Sequence, residues 1–327
     1  MGTDSHGRVI HTGQAIVDLV MRIDAIPEPG GDTFARSHQL AAGGGINVMV
    51  AAARDGGDVV YAGGHGTGPF GDLVRAAMRR EGVEVLSPAA TDHDTGFCVA
   101  LVDDSAERTF VSTVGAEGHA GIGDYQAAAV TEQDVVYVSG YSLVHADNRA
   151  ALIHWLPRLP AATTVVVDPS PVIGEIDDEA LRTVIARTTV WSTNEREARI
   201  LADRLHVGST ATYDTDPMAL AGDLATGLGC HVILRRGAQG AIVAQRAGDG
   251  APVVVDVPAL AVQAVDTNGA GDAHCGVLCA QLADGAGLVD AATRAGVAAA
   301  LAVTREGPAT SPTSAEIDRA VHGTAVG

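Results

Sequence analysis

The stretch Asp266-Thr267-Asn268-Gly269-Ala270-Gly271-Asp272 constrains this chain more than any other part of its sequence. It follows an apolar run, 261–265, that is typical of a strand, and it leads into small and apolar residues from Ala273 onward that favour a helix. A strand, a turn with two glycines and a helix start leave several backbone N–H groups unpaired at one place. The sequence therefore predicts an anion-binding turn at the start of this helix.

Asp272 lies in the first turn of the predicted helix, beside the place where a bound phosphoryl group would lie. A carboxylate there can accept the proton of an attacking hydroxyl, while the amides of Gly269, Ala270 and Gly271 stabilise charge developing on the phosphoryl oxygens. Glycine at two of these positions avoids a Cβ that would block close approach. The alternative is structural, because an aspartate near a helix N-terminus is also a common cap.

The basic residues narrow the choice of chemistry. All 21 residues counted as lysine or arginine are arginines, so the 327-residue chain contains no lysine. P-loop and protein-kinase phosphotransfer use a lysine at the phosphates, and pyridoxal enzymes use one for the Schiff base, so these mechanisms are excluded. An oxidoreductase that binds a dinucleotide is disfavoured, because no early strand is followed by G-x-G-x-x-G.

The composition also bears on partners and location. A formal net charge of −19 argues against nucleic acid and anionic membranes as partners, and it requires arginines, helix N-termini and Mg²⁺ to neutralise a bound nucleotide. The N-terminal residues lack the apolar segment of a secretion signal, and no run reaches the ~20 apolar residues of a membrane helix. We therefore expect a cytoplasmic protein.

The stretch from Val265 to Asp272 resembles the D-T-x-G-A-G-D motif of the ribokinase-like, or phosphofructokinase-B, family of carbohydrate kinases. The resemblance extends along nearly the whole chain. It implies an α/β fold with a central, mostly parallel sheet flanked by helices, and a small β-sheet lid. We expect a single domain over residues 1–327, with the lid formed by roughly 14–42 and 95–114. The implied reaction moves the γ-phosphoryl group of ATP to a hydroxyl group of a sugar-like acceptor.

The resemblance implies that five residues bind the acceptor, namely Asp18, Gly43, Gly44, Asn47 and Arg108. The glycine motif departs from the family, because Ala42 stands for its first glycine and Gly44 replaces the lysine of ribokinase. Asp18 interrupts a long extended run from Arg8 to Ile23, where a charge is costly unless it lies at an edge or a functional mouth. The glycines bring backbone amides close to a ligand, and Asn47 offers a donor and an acceptor. The alternatives are an exposed sheet edge for Asp18, a helix cap for Asn47 and a solvated hairpin position for Arg108.

Five further residues match the nucleotide side of the family's site, namely Asn194, Glu197, Arg235, Gly237 and Gly240. Asn194 and Glu197 resemble the N-x-x-E motif, which organises Mg²⁺ and the phosphates, and a single carboxylate acting through water suits this ion. Arg235 stands where ribokinase has threonine and could neutralise phosphate. Helix capping by Asn194 and a surface position for Arg235 are the alternatives.

The resemblance also suggests a second cation and a dimer. Asp266 and Asn268 match the loop that binds a monovalent cation such as K⁺ beside the anion-binding turn in ribokinases. Lid strands of the family can pair between subunits, which implies a homodimer formed through the lid.

The acceptor is less constrained than the reaction. Ser139-Gly140-Tyr141 departs from the polar pair that binds ribose in ribokinase, and the basic candidates in the lid are limited to Arg22, Arg36 and Arg108. An uncharged polyol is therefore favoured over a sugar phosphate. A nucleoside stays open because Tyr141 could stack on a base. A non-catalytic nucleotide- or sugar-binding protein on the same scaffold is the alternative from a different class.

Overall fold

The computed structural model describes residues 6–104, 108–208, 216–248 and 250–324, whose strands form two separate sheets. The nine strands of the larger sheet are β1 (Arg8–His11), β4 (Asp58–Tyr61), β5 (Glu84–Val85), β8 (Val135–Ser139), β9 (Thr164–Asp168), β10 (Val190–Asn194), β11 (His231–Arg235), β12 (Ala241–Gln245) and β13 (Val253–Val257). The four strands of the smaller sheet are β2 (Ala15–Arg22), β3 (Ser37–Gly44), β6 (Phe97–Val102) and β7 (Arg108–Ser112).

Eleven α-helices occur in the described part of the chain. They are α1 (Gly45–Arg54), α2 (Pro69–Arg80), α3 (Ile122–Gln126), α4 (Gly140–Val144), α5 (Ala146–Trp155), α6 (Asp178–Ile185), α7 (Glu195–Leu205), α8 (Pro217–Leu228), α9 (Ala270–Ala283), α10 (Leu288–Ala302) and α11 (Ser314–Thr324). In the described residues, every helix is too short or too polar to cross a membrane.

The larger sheet is mostly parallel and carries the core on both faces. Its strand order is β13-β12-β11-β10-β9-β8-β1-β4-β5, and β12 alone runs opposite to the others, antiparallel to β11 and to β13. Strand β8, Val135–Ser139, is buried along its whole length, as expected for a parallel strand covered by helices on both sides. In such sheets the loops at the carboxyl ends of the strands form the ligand site.

The smaller sheet has the order β3-β2-β6-β7. Its strands lie in the two segments predicted to form the lid, except that β3 continues through Gly43 and Gly44. Asp18 on β2 pairs with Ala41 on β3 and with Cys98 on β6, so it lies in the interior of this sheet. An exposed sheet edge therefore does not explain this carboxylate.

Two predictions of extended structure are wrong. The run from Arg8 to Ile23 is divided between β1 of the larger sheet and β2 of the smaller one, because the chain leaves the larger sheet after His11. The run 261–265 is not a strand, and it is exposed. Its Val265 N–H donates to the carbonyl of Val303 at the end of α10, so this apolar segment pairs with a helix end and not with a sheet.

Helices α1 and α9 pack closely enough to bring their first turns together. A Cβ added at Gly276 of α9 would lie 2.2 Å from the carbonyl oxygen of Val48 on α1, so glycine is required for this approach. Ala273, Cys275 and Cys279 of α9 are buried in the same core cluster as Val48. Both helices begin at the carboxyl edge of the larger sheet, which places their N-terminal residues at the predicted site.

Candidate active site

Asp272 lies at the third position of α9, directly after a left-handed turn. Gly269 precedes the helix with a φ of 76°, which favours glycine, and α9 begins at Ala270. The Oδ2 atom of Asp272 accepts a hydrogen bond of 2.9 Å from Nδ2 of Asn47. The carboxylate is thus oriented by a side chain of α1 and does not cap its own helix.

Asn47 connects Asp272 to a distant loop. Its Oδ1 atom accepts a hydrogen bond of 2.9 Å from the N–H of Ala309, and the residue is 6% exposed. Helix α1 begins after Gly44, whose φ is 58°, and no side chain caps it. The capping alternative for Asn47 is therefore wrong, because its amide is used between Asp272 and Ala309.

Asp18 reaches the same place from the smaller sheet. A Cβ added at Gly43 would lie 1.9 Å from Oδ2 of Asp18, so glycine leaves the space that this carboxylate occupies. Burial raises the pKa of Asp18 to about 6, and the negative charge of Asp272 acts in the same direction. The two carboxylates, predicted from separate motifs, therefore belong to one electrostatic environment.

Burial also raises the pKa of Asp272 to about 6. The hydrogen bond from Asn47 opposes this shift, the negative charge of Asp168 adds to it, and the positive charge of Arg235 opposes it. A general base is most effective when its pKa lies near the working pH. The environment of Asp272 therefore suits proton abstraction near neutral pH.

Asn194 and Glu197 form a capping box at the start of α7. The Glu197 N–H donates to Oδ1 of Asn194 at 2.9 Å, and the Asn194 N–H donates to Oε2 of Glu197 at 3.0 Å. The Nδ2 atom of Asn194 also donates to Oε1 of Glu197 at 2.6 Å. Asn194 thus caps α7, as the alternative interpretation expected. Glu197 is buried, with 2% of its surface exposed.

These contacts bear on how Mg²⁺ could be held. Both carboxylate oxygens of Glu197 already accept hydrogen bonds, and burial together with the charge of Asp168 raises its pKa. Among the described residues, no group of three or more His, Cys, Asp or Glu side chains forms a metal site. The residues present fit an ion held mainly by phosphates and water, with Glu197 acting through water.

Arg235 lies inside the site and not on the surface. Its side chain is 13% exposed, and its Nη2 atom donates to Oδ2 of Asp168 at 2.9 Å. Oε2 of Glu197 is 3.7 Å from the same nitrogen. The thiol of Cys275 also donates to Oδ2 of Asp168, at 3.3 Å. The surface alternative for Arg235 is therefore wrong.

Gly237 and Gly240 form the turn between β11 and β12. Both have left-handed backbones, with φ values of 55° and 88°. A Cβ at Gly240 would lie 2.1 Å from the carbonyl oxygen of Val257, whereas a Cβ at Gly237 would meet no atom within 4 Å. Gly240 is thus required by chain packing, and Gly237 faces open space.

Asp266 and Asn268 lie in a loop that contacts the segment after α10. Oδ1 of Asp266 accepts from the Asn268 N–H at 2.9 Å, and its Oδ2 accepts from the Gly307 N–H at 3.2 Å. The Asp266 N–H donates to the carbonyl of Val303. The carboxylate therefore joins two loops at the side of the anion-binding turn.

The structure does not describe the side chain of one predicted residue, and two residues near the site were not identified from the sequence. The side chain of Arg108 lies outside the described residues. Asp168 and Cys275 contact Arg235, and the sequence singled out neither of them for a role. The available signal was the position of Asp168 at the carboxyl end of a buried parallel strand, where such sheets carry their sites.

Comparisons with known proteins show the family and the fold of this chain. Residues 7–315 match the family model described as pfkB family carbohydrate kinase. A protein of Escherichia coli (strain K12) described as an uncharacterized sugar kinase, YegV, is 31% identical over 310 residues, covering 94% of this chain and 92% of the relative.

A second relative is the ATP-dependent ribose-1-phosphate kinase of Halopiger xanaduensis, which is 30% identical over 318 residues, covering 94% of this chain and 95% of the relative. Among solved structures, ribokinase from Giardia lamblia superposes with a TM-score of 0.82 at 22% identity, covering 98% of this chain and 100% of that one. The predicted fold class is thereby confirmed.

The raised pKa of Asp272 leads to a prediction about stability. Because the folded state disfavours the ionised carboxylate, this group destabilises the fold above pH 6 and ceases to do so as the pH falls towards 4. We expect Asp272→Asn to raise the free energy of unfolding by about 1–2 kcal/mol at pH 8, with a gain that shrinks below pH 6. Urea unfolding of both proteins from about pH 4 to pH 8 measures this difference in the free energy of unfolding.

Asp55→Asn provides the contrasting control for this measurement. Asp55 is buried, and its Oδ1 atom accepts hydrogen bonds of 2.7 and 2.9 Å from Nη2 and Nε of Arg294, so its replacement should destabilise the fold. An Asp272→Asn variant that is no more stable than the unmodified protein at pH 8 would contradict the assigned environment.

Proposed function

Because the chain belongs to the pfkB family of carbohydrate kinases, we propose that it transfers the γ-phosphoryl group of ATP to a hydroxyl group of a sugar-like acceptor bound between the two sheets. One observation supports this most directly. Asp272, at the start of α9, is oriented by Asn47 and lies in the same electrostatic environment as Asp18 of the smaller sheet. A binding protein without catalysis would have no use for a base at this place.

In the proposed reaction, Asp272 accepts the proton of the attacking hydroxyl. A bond forms between the acceptor oxygen and the γ-phosphorus, and the bond from that phosphorus to the β–γ bridging oxygen breaks, releasing ADP. The amides of Gly269, Ala270 and Gly271 stabilise the charge on the transferred group. Asp18, Gly43, Gly44 and Asn47 orient the acceptor, and Arg108 is proposed to contact it from the lid.

The nucleotide is proposed to bind on the other side of α9. The turn with Gly237 and Gly240 lies beside the base and ribose, and Arg235, Asn194 and Glu197 lie on the phosphate side. Magnesium, when bound to the phosphates, neutralises part of their charge, and Glu197 would contact it through water.

The ion pairs of the lid support an uncharged acceptor. Arg22 pairs with Glu306, and Arg36 pairs with Asp24 and Asp104, so both arginines already have carboxylate partners. A phosphorylated acceptor would have to compete for them. We therefore favour a sugar or another polyol.

Two aromatic side chains support a nucleoside as the second candidate. Tyr141 is 44% exposed, burial raises its pKa, and the negative charge of nearby Asp272 adds to this shift. Phe110 is 59% exposed. It pairs with Ala100, which in turn pairs with Val20 of β2. Val20 and Asp18 are two positions apart on β2, so Phe110 lies on the same face of the lid as Asp18. A planar base could pack against these rings.

The first test is ADP release from Mg-ATP with a panel of sugars, sugar acids, sugar phosphates and nucleosides. We expect one uncharged acceptor class to respond, and Asp272→Asn to lower kcat by about 10²–10⁴-fold because it removes the base. The kcat/KM of the unmodified protein should fall as the pH drops through about 6, where Asp272 takes up a proton. Asp18→Asn should instead raise the KM for the acceptor.

Near-normal turnover by Asp272→Asn would contradict the proposed base. Binding of ATP without any acceptor-dependent ADP release would favour a binding protein. A response to sugar phosphates alone would overturn the argument from the lid arginines.

A monovalent cation is proposed beside the anion-binding turn, at the loop joined by Asp266 to Gly307. A fixed cation there would strengthen the local field on the phosphates. Replacing K⁺ by tetramethylammonium at equal ionic strength should lower kcat/KM about tenfold or more, and Asp266→Ala should abolish the difference between the two salts. Equal rates in both salts would exclude the cation.

A homodimer through the lid is supported by an apolar row on the face opposite Asp18. Leu40, Leu19, Val99 and Val111 align across all four strands, and Leu40 and Val111 are 46% and 60% exposed. Burial of such a row is favourable. Sedimentation equilibrium should give twice the chain mass, and Leu19→Glu should give a monomer. A monomeric unmodified protein at micromolar concentration would contradict the dimer.

A further inference from the structure

The guanidinium of Arg235 occupies the anion-binding turn itself. A Cβ added at Gly271 would lie 2.4 Å from Nη1 of Arg235, and the other neighbour within 4 Å is Cζ of the same side chain. The backbone of Gly271 is not left-handed, so its conformation does not require glycine. Glycine at this position leaves open the space that the end of the Arg235 side chain occupies.

One edge of this guanidinium is fixed, and another is left for a ligand. Nη2 donates to Oδ2 of Asp168, whereas Nη1 makes only a long contact of 3.9 Å with Sγ of Cys275 among the described residues. The Nε atom is buried, and no hydrogen-bond partner for it lies among the described residues. The Nη1 edge beside Gly271 therefore has no oxygen acceptor among the described residues.

Asp168 is itself held rigidly. Its Oδ1 atom accepts from the Ser170 N–H at 2.8 Å, and its Oδ2 atom accepts from Arg235 and from the thiol of Cys275. The residue is 6% exposed and lies at the end of β9, two strands from β11, which ends with Arg235. Asp168 therefore fixes the direction of the Arg235 side chain.

We propose that Arg235 is a catalytic residue that contacts the transferred phosphoryl group at the start of α9, and that Asp168 is its positioning residue. This inference rests on the proposed function and goes beyond a general role in nucleotide binding. The guanidinium donates hydrogen bonds to oxygens of the γ-phosphoryl group while the bond to the acceptor oxygen forms and the bond to ADP breaks. The proton goes to Asp272, and Arg235 stays charged throughout.

The local charge balance supports this role. The charge of Arg235 interacts with those of three carboxylates, Asp168, Glu197 and Asp272. One cation therefore lies near three carboxylates at the place where the polyphosphate is proposed to bind. The chain has no lysine to supply another cation. Arginine presents a planar fork that matches two phosphoryl oxygens.

The first experiment does not depend on knowing the acceptor. Binding of AMP, ADP and a non-hydrolysable ATP analogue is measured by calorimetry in the presence of Mg²⁺, for the unmodified protein, Arg235→Met and Arg235→Lys. We expect Arg235→Met to weaken binding of the ATP analogue by about 10–100-fold and to change the affinities for ADP and AMP by less than about threefold. Arg235→Lys should have intermediate effects. A purely structural arginine would change all three nucleotides equally.

Arg236→Met is the matched control. Arg236 is the neighbouring residue, and its guanidinium pairs with Asp256 at the outer edge of the larger sheet. This variant should bind all three nucleotides like the unmodified protein.

Turnover then separates catalysis from binding. With a responding acceptor, Arg235→Met should lower kcat by about 10²–10³-fold with little change in the KM for the acceptor, and Asp168→Asn should lower it by about tenfold. The double variant should be no slower than Arg235→Met, because Asp168 acts through Arg235. The double variant also leaves no unpaired charge at this ion pair. Its kcat can therefore be measured if Arg235→Met alone does not fold.

The outcomes distinguish this inference from the proposed function. An Arg235 variant that keeps the normal ratio of analogue to ADP affinity and a kcat within about threefold would overturn the catalytic role. Failure of the unmodified protein to bind adenine nucleotides would overturn the proposed function itself.

Discussion

The close packing of α1 against α9 is the constraint on which the candidate site depends. Gly276 allows the backbone of α1 to lie directly against α9, and the first turns of both helices then meet at the carboxyl edge of the larger sheet. At that point Asn47 donates to Asp272 at 2.9 Å. A side chain at Gly276 would push the helices apart by several tenths of an ångström or more, and this hydrogen bond tolerates little displacement. Packing deep in the core therefore determines the orientation of the base.

Electrostatics divides the carboxylates of the site into two groups. Glu197 and Asp168 accept several hydrogen bonds each and share one cation partner, Arg235, so they form a fixed framework, in which burial still raises the pKa of Glu197. Asp18 and Asp272 are buried without a comparable cation partner, which raises the pKa of each to about 6. The first group can organise charge, and the second can exchange a proton. The proposed polyphosphate site and the proposed base therefore have different electrostatic surroundings.

The resemblance to the kinase family predicted the two sheets, and glycine-rich patterns together with that resemblance predicted most of the candidate site residues. Glycine-rich turns between a strand and a helix mark places where backbone amides converge, and this identified Gly43, Asn47, Gly269 and Asp272 together. The pattern failed at 261–265, because an apolar composition does not show whether a neighbouring strand is available for pairing. The burial of β8, by contrast, follows from its run of apolar residues, 135–138.

Contacts between distant parts of the chain could not be predicted from one sequence. Arg235 lies 67 positions from Asp168, and Cys275 lies 107 positions from it. Nothing in the neighbourhood of any of these residues indicates the other two. The role of Gly271 is another example, since the motif suggests close approach of a phosphoryl group, whereas the structure shows a guanidinium in that space. A motif thus locates a site more reliably than it explains each of its residues.

The loop 306–309 links the lid to the base and shows where the lid can separate. Glu306 pairs with Arg22 of β2, whereas the Ala309 N–H donates to Asn47. The first contact is largely exposed, with 44% and 62% of the two side chains accessible, so it stabilises the closed lid by only about 0–1 kcal/mol. The second contact is partly buried, and its loss would leave the Asn47 amide oxygen without this partner, which costs more. A displacement of the smaller sheet should therefore break the Arg22 pair first and leave the hydrogen bond between Asn47 and Asp272 in place.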